Sequence, residues 1–272
     1  MARELWKSKR PEWAVACLIA AAISVAAYGT LLWWEPWTPG GRGGLAFGIL
    51  AAGLLVIEGL YPLRRRLMAW PFGTAQRWLQ FHLYGGGLIT LFVVLHNGVR
   101  WPTGQMGWWL LGLTLWSTAS GVLGVVLQKA IPAMLGEQLS LEVIYERIPE
   151  LVSGLQAEAD RLVKGAPEML ERVYLAEIRP ALAGVTPAFL HLVDIRRGRE
   201  RRLAPLREVQ PFLGDAERGR LEDLQTIMIE KIELDAHYSL QRILRIWLVL
   251  HVPPAAILLG LTVAHIVTAL YF

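Results

Sequence analysis

Four long apolar runs fill the first half of the chain and a fifth closes it, at about 13–34, 45–63, 77–99, 106–127 and 242–272. Each approaches or exceeds the roughly 20 apolar residues that an α-helix needs to cross a hydrocarbon layer. Between the fourth and fifth runs the pattern changes. Residues 129–241 are rich in Glu, Arg, Leu and Ala with apolar positions at helical spacing, the mark of helices with one face in a core and the other in water. Pro132, Pro149, Pro167, Pro180, Pro187, Pro205 and Pro211 are expected to cut this stretch into short helices. Asp215 is a plausible N-cap, and the helix it opens is predicted to run through Tyr238 and Arg245 into the last apolar run without a break. The expected fold is all-α: a polytopic membrane bundle of five transmembrane helices with a cytoplasmic helical insertion. Its parts are residues 1–128, 129–241 and 242–272.

Charge sets the expected orientation. The chain has 27 Lys and Arg against 23 Asp and Glu, a net charge of +4. In a membrane protein that excess reflects cytoplasmic anchoring and needs no nucleic-acid partner. Arg3, Lys7, Lys9 and Arg10 precede the first run, and Arg64, Arg65, Arg66 and Arg77 separate the second from the third. The other two loops contain only Arg42 and Arg100. The positive-inside rule then places the N-terminus and residues 129–241 in the cytoplasm and the C-terminus outside, in the cell's inner membrane. The first run is too long for the apolar core of a signal peptide and is read as an uncleaved helix. On this topology the third and fifth runs are parallel, both going from inside to outside.

Those two runs carry the candidate chemistry. His82 and His96 lie in the third, His251 and His265 in the fifth, each pair fourteen residues apart. Fourteen residues is two heptads, so both histidines of a pair fall on one seam of a left-handed helix pair. They lie about 21 Å apart along the axis, one near each edge of the hydrocarbon. Parallel helices would face His82 with His251 on the inner side and His96 with His265 on the outer. Imidazoles in hydrocarbon are costly without a partner, and each mark a functional hypothesis. Two imidazoles in each of two layers suit haem iron with bis-histidine ligation, whereas a closed zinc site gathers three or four ligands in one place. The lone Cys17 excludes an internal disulfide, a cysteine zinc site, an iron–sulfur cluster and a Cys-x-x-Cys-His attachment. The expectation is two non-covalent haem b groups.

Supporting residues follow from the same frame. Gly85, Gly86 and Gly87, with Gly121, Gly124 and Gly260, offer room for a flat macrocycle, although small residues also serve ordinary helix packing. Arg242, Arg245, Arg77 and Lys129 on the inside and Arg100 on the outside could meet propionates; as topological anchors they need no ligand. Pro253 and Pro254 remove two helix hydrogen bonds just after His251, and a kink there would help aim its ring. Glu58 is expected to pair with Arg64 or Arg65 rather than handle quinone protons. His237 also precedes His251 by fourteen residues, but among Glu230, Lys231, Glu233 and Asp235 it reads as a cytoplasmic surface histidine. His191 reads as structural.

These stretches resemble a known family. Phe81-His82-Leu83-Tyr84-Gly85, Leu95-His96-Asn97-Gly98, Ser120-Gly121 and Trp247-Leu248-Val249-Leu250-His251-Val252-Pro253 look similar to dihaem b-type membrane cytochromes. Among these, the chain resembles the small relatives of cytochrome b of quinol–cytochrome c reductase that serve bacterial quinone-linked respiratory complexes. Ferric reductases and NADPH oxidases are looser likenesses. The resemblance covers about 45–128 and 243–272. It implies haem ligation by the four histidines, electron exchange with quinone, and a c-type cytochrome or iron–sulfur partner subunit. It makes the chain an electron-transfer subunit of an oxidoreductase complex rather than a stand-alone enzyme. Two features depart from the large cytochrome b: the insertion, and the absence of the Pro-Glu-Trp-Tyr quinol motif. Two other classes compete: a metal or proton transporter with a histidine relay, and a membrane anchor without redox role. A relay would need polar residues between the histidine layers, and 88–95 and 255–264 are apolar apart from Thr90 and Thr262.

Overall fold

The computed structural model describes residues 11–34, 36–60, 75–135, 145–186 and 195–271. Among them there is no strand, and five helices are long and apolar enough to cross a membrane. Two compact units divide the chain: Met1–Leu127 with Trp247–Phe272, and Gln128–Ile246.

The first unit contains α1 (Pro11–Trp34), α2 (Arg42–Gly59), α3 (Ala75–His96), the start of α4 (Gln105–Leu135) and the end of α9 (Asp215–Tyr271). α1 has no buried residue; it is apolar on every side, which suits lipid rather than water around it. α3 packs against both α1 and α2. The contact with α2 is filled by Phe47 and Ala51 against Phe92 and Leu95.

Turns set where these helices stop. α3 ends in a Schellman motif: Val99 N–H donates to the Val94 carbonyl at 3.0 Å and Gly98 N–H to the Leu95 carbonyl at 2.9 Å. Gly98 takes the required left-handed conformation at φ 69°, and a side chain there would strike the Trp37 ring. The Trp37 indole N–H in turn caps the His96 carbonyl at 3.3 Å. Exposed Trp33, Trp34, Trp101, Trp108 and Trp109 gather at the α1–α2 and α3–α4 turns. That placement is where a bilayer's interfacial layer favours indoles.

The second unit has a water-type core. α5 (Ile148–Val163) turns a stripe of Ile148, Val152, Leu155, Ala159 and Val163 inward. It meets Leu170 of α6 (Glu168–Val173), Tyr174 and Ile178 of the π turn that follows, and Leu182 of α7 (Arg179–Leu182). Leu203, Leu206 and Val209 of α8 (Ile195–Val209) and Leu221, Leu224 and Met228 of α9 complete the cluster. A fully buried leucine in such a core contributes about 2 kcal/mol relative to an exposed one. The Tyr174 hydroxyl donates to Asp160 at 2.6 Å, where the Arg179 guanidinium also bonds at 3.1 Å. These donors hold the Asp160 carboxyl below its usual range.

Prolines do less cutting than their positions imply. Pro149 and Pro180 sit in the first turn of a helix, and Pro167 immediately precedes one. Pro132 and Pro205, however, lie inside α4 and α8, where each costs one backbone hydrogen bond without ending the helix. Pro187 lies outside the described residues. α9 runs 57 residues from Asp215 to Tyr271 without a break at Pro253 and Pro254. Pro254 leaves the carbonyl of Leu250 without its helix donor. The Trp116 indole of α4 supplies one at 2.9 Å.

Candidate functional site: two tiers of paired histidines

α3 and α9 run in the same direction, and their histidines meet in two pairs. The rings of His82 and His251 lie 6.1 Å apart between centroids, at 90° to one another. Those of His96 and His265 lie 6.4 Å apart at 79°. A metal held about 2.0 Å from one nitrogen of each of two imidazoles puts the ring centres roughly 6.3 Å apart. Both tiers have that spacing.

What each ring does with its other nitrogen decides whether it can be a ligand. His96 Nδ1 lies 2.8 Å from the carbonyl oxygen of Gly44. A carbonyl only accepts, so Nδ1 bears the proton and Nε2 keeps its lone pair. Gly48 makes this reach possible, because a Cβ there would stand 2.9 Å from His96 Nδ1. His251 Nδ1 lies 2.8 Å from Ser120 Oγ, whose own proton is directed to the Ser117 carbonyl at 3.1 Å. With the Ser120 proton so spent, His251 is the donor of that pair in the tautomer that leaves its Nε2 lone pair for a metal. The Trp247 indole stacks on His251 at 5.5 Å and donates to the Ser120 carbonyl at 2.7 Å, bracing the same corner. His82 Nδ1 bonds Oε2 of Glu58. Three of the four rings thus have the outward Nδ1–H contact that fixes tautomer and orientation in metal-bound histidines. Among the described residues no such ring partner is found for His265.

The Glu58 residue is buried at 8 % exposure and its carboxylate bonds His82; Arg64 and Arg65, its expected partners, lie outside the described residues. Its second oxygen, Oε1, is buried with no hydrogen-bond partner among the described residues. An ionised carboxylate in a dry interior needs a compensating charge. A cationic iron beyond the imidazole would be one. Gly85, expected to face a macrocycle, instead makes room for this carboxylate: a Cβ there would collide with Glu58 Oε1. Gly124 likewise receives the Trp247 ring, and Gly121 lies beside His251. At Gly86, Gly87 and Gly260 a Cβ would meet nothing within 4 Å. These three do leave open space next to the histidine helices.

The remaining candidates are placed as follows. Arg100 is exposed in the turn after α3. Arg77 and Lys129 are exposed as well. Arg242, also exposed, and Arg245 belong to the second unit. There Arg245 pairs with Glu146 and lies 4.1 Å over the Tyr145 ring, which stacks on Tyr238 at 4.5 Å. The Arg245 contact holds the Glu146 carboxyl below its usual range. His237 is buried at 8 % exposure with Nε2 unpartnered among the described residues, not on the surface as its charged neighbours imply. Burial lowers its pKa from the ordinary 6.5. His191 lies outside the described residues. No group of three or more His, Cys, Asp or Glu converges as a metal site among the described residues. A bis-histidine iron asks for two, since its other four donors belong to the macrocycle.

Sequence reasoning did not single out Gly44, Gly48 or Ser120 as holders of the rings. A signal for the first two exists: Gly44 and Gly48 form a Gly-x-x-x-Gly pair in an apolar helix, the pattern that lets a neighbouring helix approach closely. Together the helices and the two tiers define an all-α chain with five helices fit to span a membrane. No family model, curated protein or solved structure matches the chain.

Proposed function

We propose that this protein is a dihaem b-type cytochrome that carries electrons across a membrane, with one haem clasped by His82 and His251 and the other by His96 and His265. The observation that carries this reading is the repeated geometry: imidazole pairs at 6.1 and 6.4 Å, with three Nδ1 atoms turned to protein acceptors. Edge-to-face stacking gives similar spacing by itself. It does not explain why the His96 and His251 rings turn Nδ1 to Gly44 and Ser120, nor why Glu58 is buried half-paired.

The bound groups would supply reversible one-electron chemistry. The chain supplies ligation, fixed ring orientation and a dry interior. Between the tiers few polar groups remain: Thr90 and Thr118 hydroxyls bond each other at 2.6 Å, Thr114 bonds its own helix at 2.7 Å, and the buried Ser117 hydroxyl has no hydrogen-bond partner among the described residues. That dryness favours electron transfer over the metal or proton path of a transporter, and a pure anchor would have no use for paired imidazoles. Quinone on one side and a c-type cytochrome or iron–sulfur subunit on the other are the proposed redox partners. The proposed location is the cell's inner membrane, with the N-terminus and residues 129–241 cytoplasmic.

Protein purified from a haem-replete host should show a reduced b-type spectrum with two haems per chain. His251→Ala should remove one of them and His265→Ala the other. Purified wild-type protein with no haem would overturn the proposal.

A further inference from the structure

The two tiers are not chemically alike. In one, His82 donates to a buried carboxylate and His251 to a hydroxyl. In the other, His96 donates to a neutral backbone carbonyl and His265 has no ring partner among the described residues. A carboxylate draws the Nδ1 proton more strongly than a carbonyl does, and so makes the opposite nitrogen a better electron donor to a metal. Its negative charge, undiluted by water, also favours the oxidised iron over the reduced one. Both effects act in the same direction on the same tier.

Resting on the dihaem reading, we infer that Glu58 is a positioning residue that tunes one haem through His82, so that the His82–His251 site has the lower reduction potential and a single electron shared by the two sites resides at His96–His265. The exchange is balanced within the chain: one electron leaves one iron and enters the other, with no outside reductant and no proton. Gly85 belongs to this device, because its missing side chain is what seats the Glu58 carboxylate beside His82. α2 holds both ends of the asymmetry, with Gly44 and Gly48 near its start at His96 and Glu58 near its end at His82.

The test is optical redox titration of the full-length, haem-loaded protein in detergent. Glu58→Gln keeps an oxygen for the His82 N–H and removes only the charge. It should raise the potential of one haem by at least tenfold in the electron-exchange equilibrium, about 59 mV for one electron, and leave the other haem in place. Glu58→Asp should return part of that shift. His265→Ala, which retains only the His82–His251 haem, assigns the affected signal: the Glu58→Gln shift must persist in that background. Two haems with both potentials unmoved in Glu58→Gln would overturn the inference while leaving the dihaem reading intact. Loss of the His82 haem in Glu58→Gln would also overturn it, since Glu58 would then only hold the ring. A wild-type protein without haem would instead remove the reading on which the inference rests.

Discussion

Each unit buries charge, and the two do it in opposite ways. In the second unit Lys231 and Asp235 are fully buried, and Asp235 is surrounded by donors: Lys231 Nζ at 2.6 Å, Arg202 Nη1 at 3.1 Å and the Thr186 N–H at 3.0 Å. Burial pulls the Lys231 ammonium below its ordinary range, and Asp235 pulls it back. In the first unit Glu58 has a single imidazole and one oxygen left bare. The second unit neutralises its buried charges with its own side chains. On the proposed dihaem reading, the complement of the buried Glu58 carboxylate in the first unit is the iron held beyond His82.

Withholding the proposed haems should separate the units most sharply. Protein made with haem synthesis blocked is expected to lose the protease resistance of α3 and the end of α9 while 145–186 stays protected. Limited proteolysis with mass mapping would read both in one experiment, and equal protection of α3 with and without haem would contradict the comparison.

Next in size is Lys231→Met. It leaves Asp235 buried with less compensation, and breaking such a pair costs about 3 kcal/mol or more. Denaturant unfolding should register the loss in the second unit, with the haem spectrum unchanged.

Acid should also act on the second unit. The folded state holds His237 neutral below its unfolded pKa of 6.5, so the unfolded chain binds a proton that the folded one refuses. Stability is therefore fully present above pH 6.5 and falls as pH drops through the window beneath it. His237→Gln should flatten that part of the pH–stability curve. The smallest effect expected is from Trp116→Phe in the first unit. Losing the donor to the Leu250 carbonyl costs about 1 kcal/mol, seen as a lower thermal midpoint of the b-type absorption.

How far the sequence speaks depends on whether a feature is local or tertiary. The five apolar helices and the histidine seams are periodic properties of single segments, and residue type and spacing suffice to read them. The unbroken α9 was legible for the same reason, because nothing between Asp215 and Tyr271 forces a stop that a neighbour cannot repair. Glu58 was visible as the lone acid in an apolar run, yet its partner is chosen by the α2–α3 contact, which no one-dimensional pattern reveals. Gly85 was read with its neighbours Gly86 and Gly87, but only the fold shows that it alone faces α2's carboxylate. His237 misled for a physical reason. Charged neighbours on a helix signal a wet surface only when they do not find one another inside, as Lys231 and Asp235 do.

The equal fourteen-residue interval on two helices has a consequence for how such a chain can change. Exchanging one apolar residue for another between the histidines leaves both seams aligned. Inserting or deleting a single residue there swings the downstream imidazole about 100° around its helix and 1.5 Å along it. One tier would survive and the other would be dismantled. Within these two stretches the chain is therefore free in spelling and fixed in length, and only a matched insertion or deletion of a whole heptad in both helices at once, which returns each downstream imidazole to its seam, keeps the two tiers facing.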